Sequence, residues 1–160
     1  MNDKISDSVQ RVQAFLSERG TELVVQLLSS TTRTAVEAAA ALGCKEAQIA
    51  KSLVFRDDAT GEAVLVVASG ANRVSLEKIC RETGISLGKA DANFVREMTG
   101  FAIGGIPPFA HVSQLRTMLD PDLQQFDSVW AAAGSPFAVI QISPDDLERL
   151  TGATWVELAE

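Results

Sequence analysis

Apolar residues return every three or four positions near the start of the chain, with Val9, Val12, Phe15 and Leu16 on one stripe. This spacing predicts an amphipathic helix over 7–19 that stops at Gly20. A short β-prone run follows at 23–28, then polar residues 29–32. Thr34 stands where an N-cap belongs ahead of the apolar segment 35–42, Glu37 completes a capping-box pattern, and Gly43 suits the C-terminal cap. Residues 45–50 read as a brief helical turn, 51–55 as a strand, and 57–61 as a hairpin turn into a second strand at 63–68. Beyond a turn at 70–73, Ser75 caps a helix through Thr83 and Asp91 opens another through Met98. Residues 101–109 form a Gly/Pro loop. Short strands near 112–119, 128–133 and 138–142 precede a helix from Ser143 through Leu150, with Pro144 at its permitted first position, and a last strand at 154–158.

Strands and helices alternate irregularly and include a hairpin, which disfavours a purely parallel sheet. The expectation is a mixed α/β (α+β) fold, a curved sheet with helices packed around it. No repeat, charge block or low-complexity linker divides the chain, so residues 1–160 read as a single domain. The composition, 46% hydrophobic and 22% charged, is that of an ordinary globular protein. No apolar run approaches the roughly 20 residues of a membrane span, and the first seven residues lack the features of a secretory leader. A soluble, cytoplasmic protein without a membrane partner is expected.

A net charge of −7 disfavours a protein that wraps DNA or the body of a tRNA, since that affinity comes from Lys and Arg neutralising phosphates. Contact with nucleic acid is expected to be small and local. Cys44 and Cys80 read as small buried hydrophobes, and with His111 as the single histidine no zinc-ligand spacing is present. Neither a phosphate-binding P-loop nor a dinucleotide fingerprint occurs. Ser135 lacks a nucleophile elbow, so a serine esterase would rest on Ser135 and His111 without motif support.

Three features stand out. Lys51 opens an apolar run and shares strand parity with Leu53 and Phe55. Its stem can simply lie on the core edge, or its ammonium can stand at the rim of a pocket, available to a phosphate or a developing negative charge. In Gly104-Gly105-Ile106-Pro107-Pro108-Phe109, two glycines permit close ligand approach and two prolines stiffen the far side. On that reading Gly105→Ala impairs hydrolysis more than folding. Ala131-Ala132-Ala133-Gly134-Ser135-Pro136 is a strand end without bulk, suited to close packing or to the wall of a compact side-chain pocket.

Together with 34–39 and 48–55, the segments 100–109 and 129–136 resemble the YbaK/prolyl-tRNA-synthetase-associated editing-domain family, whose free-standing members hydrolyse misacylated tRNA in trans. The resemblance implies a mostly antiparallel mixed sheet forming a pseudo-barrel and a required lysine at Lys51. It also implies a Gly-x-x-x-Pro loop from Gly104 to Pro108, and no metal or organic cofactor. The implied substrate is the 3′ CCA end of an aminoacyl-tRNA, with tRNA for proline carrying a small amino acid as the leading case. The candidate catalytic residues are Lys51, Gly104 and Gly105. Around the substrate the candidates are Thr34, Asn72, Arg73, Ile106, Pro107, Pro108, His111, Gly134 and Ser135. In the family-based mechanism the lysine holds the phosphate of the terminal adenosine, loop backbone groups orient the aminoacyl ester and water, and His111 lies within reach of the bound amino acid. An aminoacyl ester is already reactive, so an absent catalytic triad is no objection. The alternative is a non-catalytic module that binds a CCA end, a nucleotide or a partner protein. Association with a synthetase or a homodimer is left open by the sequence.

Overall fold

The structure, a computed structural model, describes residues 6–160; the leader expectation concerns the first residues and falls largely outside this range. The helices are α1 (Asp7–Glu18), α2 (Ala35–Leu42), α3 (Leu76–Thr83), α4 (Ala92–Thr99) and α5 (Pro144–Thr151). Thr34, Ser75, Asp91 and Ser143 cap where the sequence expects a helix start, and Ser6, not expected as a cap, does the same for α1; all five accept a hydrogen bond from a first-turn N–H.

Eight strands are present among the described residues: β1 (Gln26–Leu27), β2 (Ile49–Asp57), β3 (Ala63–Ser69), β4 (Leu87–Gly88), β5 (Arg116–Leu119), β6 (Val129–Ala132), β7 (Ala138–Ile142) and β8 (Thr154–Trp155). They form one open mixed sheet in the order β1-β7-β6-β2-β3-β5-β8, with β4 added to the far end of β2. The β1/β7, β6/β7, β2/β3 and β2/β4 pairs are antiparallel, whereas β2/β6, β3/β5 and β5/β8 are parallel.

β3 sits centrally and is buried along its whole length, which is why it reads as an unbroken apolar run. Alternation along it divides the core. Leu65 and Val67 pack with Val12 and Leu16 of α1 and with Phe101, Ile106 and Ile140. Val64, Val66 and Ala68 pack on the other face with Ile79 of α3, Met118 and Leu158.

The sheet differs from the sequence expectation where a strand depends on a distant partner. Of 23–28 only β1 pairs, because the Gln13 side chain takes up the Val25 N–H and the Leu23 carbonyl. The expected strand 112–119 shrinks to β5, and 154–158 to β8; past Val156, whose N–H still donates to the Leu119 carbonyl, the chain leaves β5 and the Leu158 carbonyl accepts from Ser75 N–H. β4 and a 3-10 turn at Pro121–Gln125 carry no periodic signal and were not expected. No helix among the described residues is long and apolar enough to cross a membrane.

One detail of the sheet positions the site. β2 pairs with β6 through Ile49 and Ala50, and on the same edge with β4 through Arg56 and Asp57. Between these contacts the middle of β2 has no strand partner on that edge, and there the molecule opens into a cavity.

Candidate active site

The cavity has a volume of about 410 Å³ and is walled by Lys51, Ser52 and Leu53 of β2, the start of α2, Gly104 and Ile106 of the Gly/Pro loop, and Trp130, Ala132 and Val139 of β6 and β7. Its size falls within the usual range for small-molecule sites. Lys51 lies opposite Ala68 and Leu53 opposite Val66, so the lysine shares a face with Leu53 as its parity predicts. The Lys51 side chain is half-buried, and its Nζ donates to the Asn72 carbonyl at 2.7 Å. An ammonium has three donors, so this bond fixes the group without exhausting it.

α2 is brought to the cavity by its cap. Glu37 N–H donates to Thr34 Oγ1 at 3.1 Å, while the Glu37 carboxylate accepts from Arg33 N–H at 3.0 Å. The reciprocal half of the capping box thus falls one residue earlier than in the standard pattern. Just upstream, Thr32 donates through both N–H and Oγ1 to the Pro136 carbonyl, tying the approach to α2 onto the β6–β7 turn. Gly70 closes the corner: a Cβ there would lie 2.4 Å from the Glu46 carbonyl oxygen and 2.7 Å from Ala35 Cβ. Only glycine permits this approach of the β3 exit to α2.

The Gly/Pro loop forms the opposite wall. Gly104 has φ +99, a region that favours glycine, and it faces the cavity beside Arg33. The backbone of Gly105 is committed, its N–H to Ala102 and its carbonyl to Gly134 N–H, while Gly104 and Ile106 on either side of it line the cavity.

Residues 29–150 match the aminoacyl-tRNA editing domain family. The chain belongs to this family. It is 46% identical to a solved structure described as "a putative trans-editing enzyme for prolyl tRNA synthetase", covering 98% of this chain and 99% of that one with a TM-score of 0.91. It is 28% identical over 154 residues to the uncharacterized protein YwhH of Bacillus subtilis, covering 96% of this chain and 98% of that one. It is 27% identical over 128 residues to the "Putative Cys-tRNA(Pro)/Cys-tRNA(Cys) deacylase EbsC" of Enterococcus faecalis, covering 78% of this chain and 76% of that one. An editing domain hydrolyses the ester that joins an amino acid to the 3′ end of tRNA, so the chain is an aminoacyl-tRNA deacylase.

In this editing domain Thr34, Lys51, Gly104 and Ile106 line one cavity, drawn from distant parts of the sequence. The other candidates fall elsewhere. Gly105 is buried against Ser135, where a Cβ would lie 2.7 Å from Cα and 2.8 Å from N, so its smallness is required by the contact between two loops. Gly134 packs against α1, 2.8 Å from the Ser8 carbonyl oxygen by the same measure, and Ser135 Oγ accepts from Phe137 N–H within the β6–β7 turn. Asn72 adjoins the lysine through its carbonyl, while its side-chain amide is spent on Asp120 and Asp122. Arg73 is exposed and outside the cavity wall.

Pro107 is buried, and its carbonyl accepts from His111 Nε2 at 2.8 Å. Pro108 and His111 line a different, wider cavity of about 700 Å³ between α1 and 108–115. Burial pushes the His111 pKa below its ordinary value, the Pro107 bond opposes this, and the Arg11 charge adds to the lowering. No hydrogen bond joins Ser135 to His111, so the two do not form a serine–histidine pair. The cysteines also depart from expectation: Cys44, just past the Gly43 cap of α2, is only partly buried, and Cys80 is exposed on α3, where Ile79 is the buried residue. Burial still pushes the Cys44 thiol up.

Sequence reasoning missed Gly70, Ala35, Ala38 and Val139 as wall residues, and Asp120 behind Asn72. Only Asp120 carried a local signal, as an aspartate preceding proline at the end of an apolar run, where it caps the following 3-10 turn.

Proposed function

We propose that the cavity receives the 3′ CCA end of a misacylated tRNA, tRNA for proline bearing a small non-cognate amino acid, and that residues 1–160 act on it as one cytoplasmic editing unit in trans. The observation that carries this reading is the convergence of Lys51 with Gly104 and Ile106 of the loop on one cavity whose wall includes Ala35, Ala38, Ala132 and Val139. The names of two relatives, one a trans-editing enzyme for prolyl-tRNA synthetase and one a deacylase of Cys-tRNA(Pro), support the choice of carrier.

Hydrolysis adds water to the ester carbonyl, places negative charge on its oxygen, and expels the ribose oxygen, which takes up a proton. Free amino acid and tRNA result. Such a reaction needs placement and charge stabilisation more than a strong nucleophile. Lys51, fixed by Asn72, holds the phosphate of the terminal adenosine with its remaining donors, and the ester then lies toward the loop. The backbone of Gly104 and Ile106 orients the carbonyl and the water, and the neighbouring ribose hydroxyl assists departure of the leaving oxygen. Ala35, Ala38, Ala132 and Val139 bound the space left for the side chain. A net charge of −7 fits an enzyme that holds only a single-stranded end, with Lys51 and Arg33 at the cavity supplying local positive charge. Lys78 is drawn away, its Nζ donating to the Ala159 carbonyl.

The test is release of free amino acid from a panel of misacylated tRNAs at catalytic protein concentration. The expected result is repeated turnover on small aminoacyl-tRNA(Pro), with Pro-tRNA(Pro) spared. Binding of the panel without release from any member would instead establish the binding-module reading.

A further inference from the structure

We propose that Asp120 is a positioning residue for deacylation, acting through Asn72 to aim the Lys51 ammonium into the cavity. The inference rests on the reading that Lys51 works there. Asp120 follows β5, is 1% exposed, and its carboxylate is held by N–H donors. Its Oδ2 accepts from Ser69 N–H at 3.0 Å and from Asn72 Nδ2 at 2.8 Å, and its Oδ1 accepts from Asp122 N–H at 3.0 Å. A buried carboxylate is costly unless such bonds satisfy it. Here the bonds converge on the turn that leaves β3.

That turn is closed by Asn72 N–H donating to the Ser69 carbonyl at 2.9 Å. Asp120 therefore grips both ends of it, Ser69 by its backbone and Asn72 by its side chain. The second Nδ2 hydrogen goes to Asp122 Oδ2, also at 2.8 Å, so the Asn72 amide cannot rotate without losing two charge-assisted bonds. With its side chain and N–H held, Asn72 is restrained in the turn, and its carbonyl there is the group Lys51 Nζ meets.

The relay explains why the buried carboxylate does not pair with the lysine directly. A carboxylate against the ammonium would cancel the charge that a phosphate is to feel. A carbonyl takes one of three donors, sets the direction of the rest and leaves the charge intact. Asn72 thus orients the cation while Asp120 orients Asn72.

The test is a double-mutant cycle on deacylation, measured under single turnover at enzyme excess so that weak variants remain measurable. Asp120→Asn preserves shape and removes an acceptor; Asn72→Ala, at a half-exposed turn position, keeps the backbone carbonyl but releases its anchor and guards against a folding failure in the first variant. Each is expected to slow deacylation by about tenfold when Lys51 is present and to add nothing in a Lys51→Ala background. Equal slowing in both backgrounds would mark a general structural effect and overturn the proposal, as would wild-type rates in both single variants. If Lys51→Ala itself runs at the wild-type rate, the functional reading falls together with this one. An impaired Lys51→Ala with additive Asp120 and Asn72 effects removes only the positioning role.

Discussion

Gly105 lies flat against the backbone of Ser135, so close that a Cβ on the glycine would stand 2.7 Å from the Ser135 Cα. The contact is reinforced by Gly134 N–H donating to the Gly105 carbonyl at 2.9 Å, and it locks the Gly/Pro loop to the β6–β7 turn. Gly105→Ala must therefore separate two backbones that have no flexible side chain to yield. The expected outcome is loss of stability by about 1–3 kcal/mol together with loss of activity, readable as a lowered Tm and reduced turnover in the same preparation. An unchanged Tm would show that the two loops part at little cost.

Lys51→Ala should behave in the opposite manner. The side chain is half-buried and its one hydrogen bond goes to a turn carbonyl, so the fold depends little on it. Removing a preorganised charge contact from an active site typically costs roughly 10²–10³-fold in rate, about 2.7–4 kcal/mol. Lys51→Arg should restore only part of the activity, because a planar guanidinium of longer reach cannot keep the Asn72 carbonyl and present its charge at the same point. Rates for Lys51→Ala equal to wild type on every tested aminoacyl-tRNA would move the site elsewhere.

How far these relationships were legible in the sequence depends on their range. The caps at Thr34, Ser75, Asp91 and Ser143 are local chemistry and fix four helix starts without reference to the rest of the chain. The parity of Lys51 with Leu53 is equally local and survives intact. The loop glycines show the limit. Their composition announces a close approach but not by what, and for Gly105 the approaching group in the fold is Ser135. Asp120 is a similar case, since nothing near it in sequence reveals that Asn72 is its partner. His111 follows the loop in sequence, yet the buried Pro107 and Pro108 carry the chain across to the other side, and positive φ at Ala110 completes the change of direction.

His111 gives a pH dependence of stability with a definite sign. Burial holds its pKa below the ordinary 6.5, so the folded protein binds this proton less readily than the unfolded chain. The stability it contributes is fully present above pH 6.5 and is lost as pH falls through the lower folded-state value. His111→Gln retains a donor for the Pro107 carbonyl without a titrating ring, so its Tm should fall less on acidification below that pH. Parallel Tm profiles for the two proteins would contradict the assignment. The amino-acid preference of His111→Gln should match wild type, since the ring lines the other cavity.

Ser52 Oγ is buried and is the one such side-chain atom among the described residues without a hydrogen-bond partner. Leaving a buried hydroxyl unpaired costs about 1–3 kcal/mol, so Ser52→Ala should raise stability by an amount on the order of 1 kcal/mol. A fall in the denaturation midpoint would mean that the hydroxyl is satisfied in solution.

The width of the cavity offers a test of what it was built to hold. Val139 is 3% exposed, lies opposite Ala132 in the β6–β7 pair, and contributes to the wall. Val139→Ala removes two methyl groups, at a cost of roughly 2 kcal/mol in stability from lost burial and residual void. If the amino-acid side chain rests against this wall, the added space accepts a larger one. One methylene in an apolar pocket changes discrimination by roughly 10–200-fold. The ratio of kcat/KM for 2-aminobutyryl- over alanyl-tRNA(Pro) should therefore rise by about tenfold or more. Both substrates carry the same tRNA, so a uniform loss from weakened folding cancels in the ratio. An unchanged ratio in a folded variant would place the amino-acid side chain away from Val139 and turn attention to the α2 wall at Ala35 and Ala38.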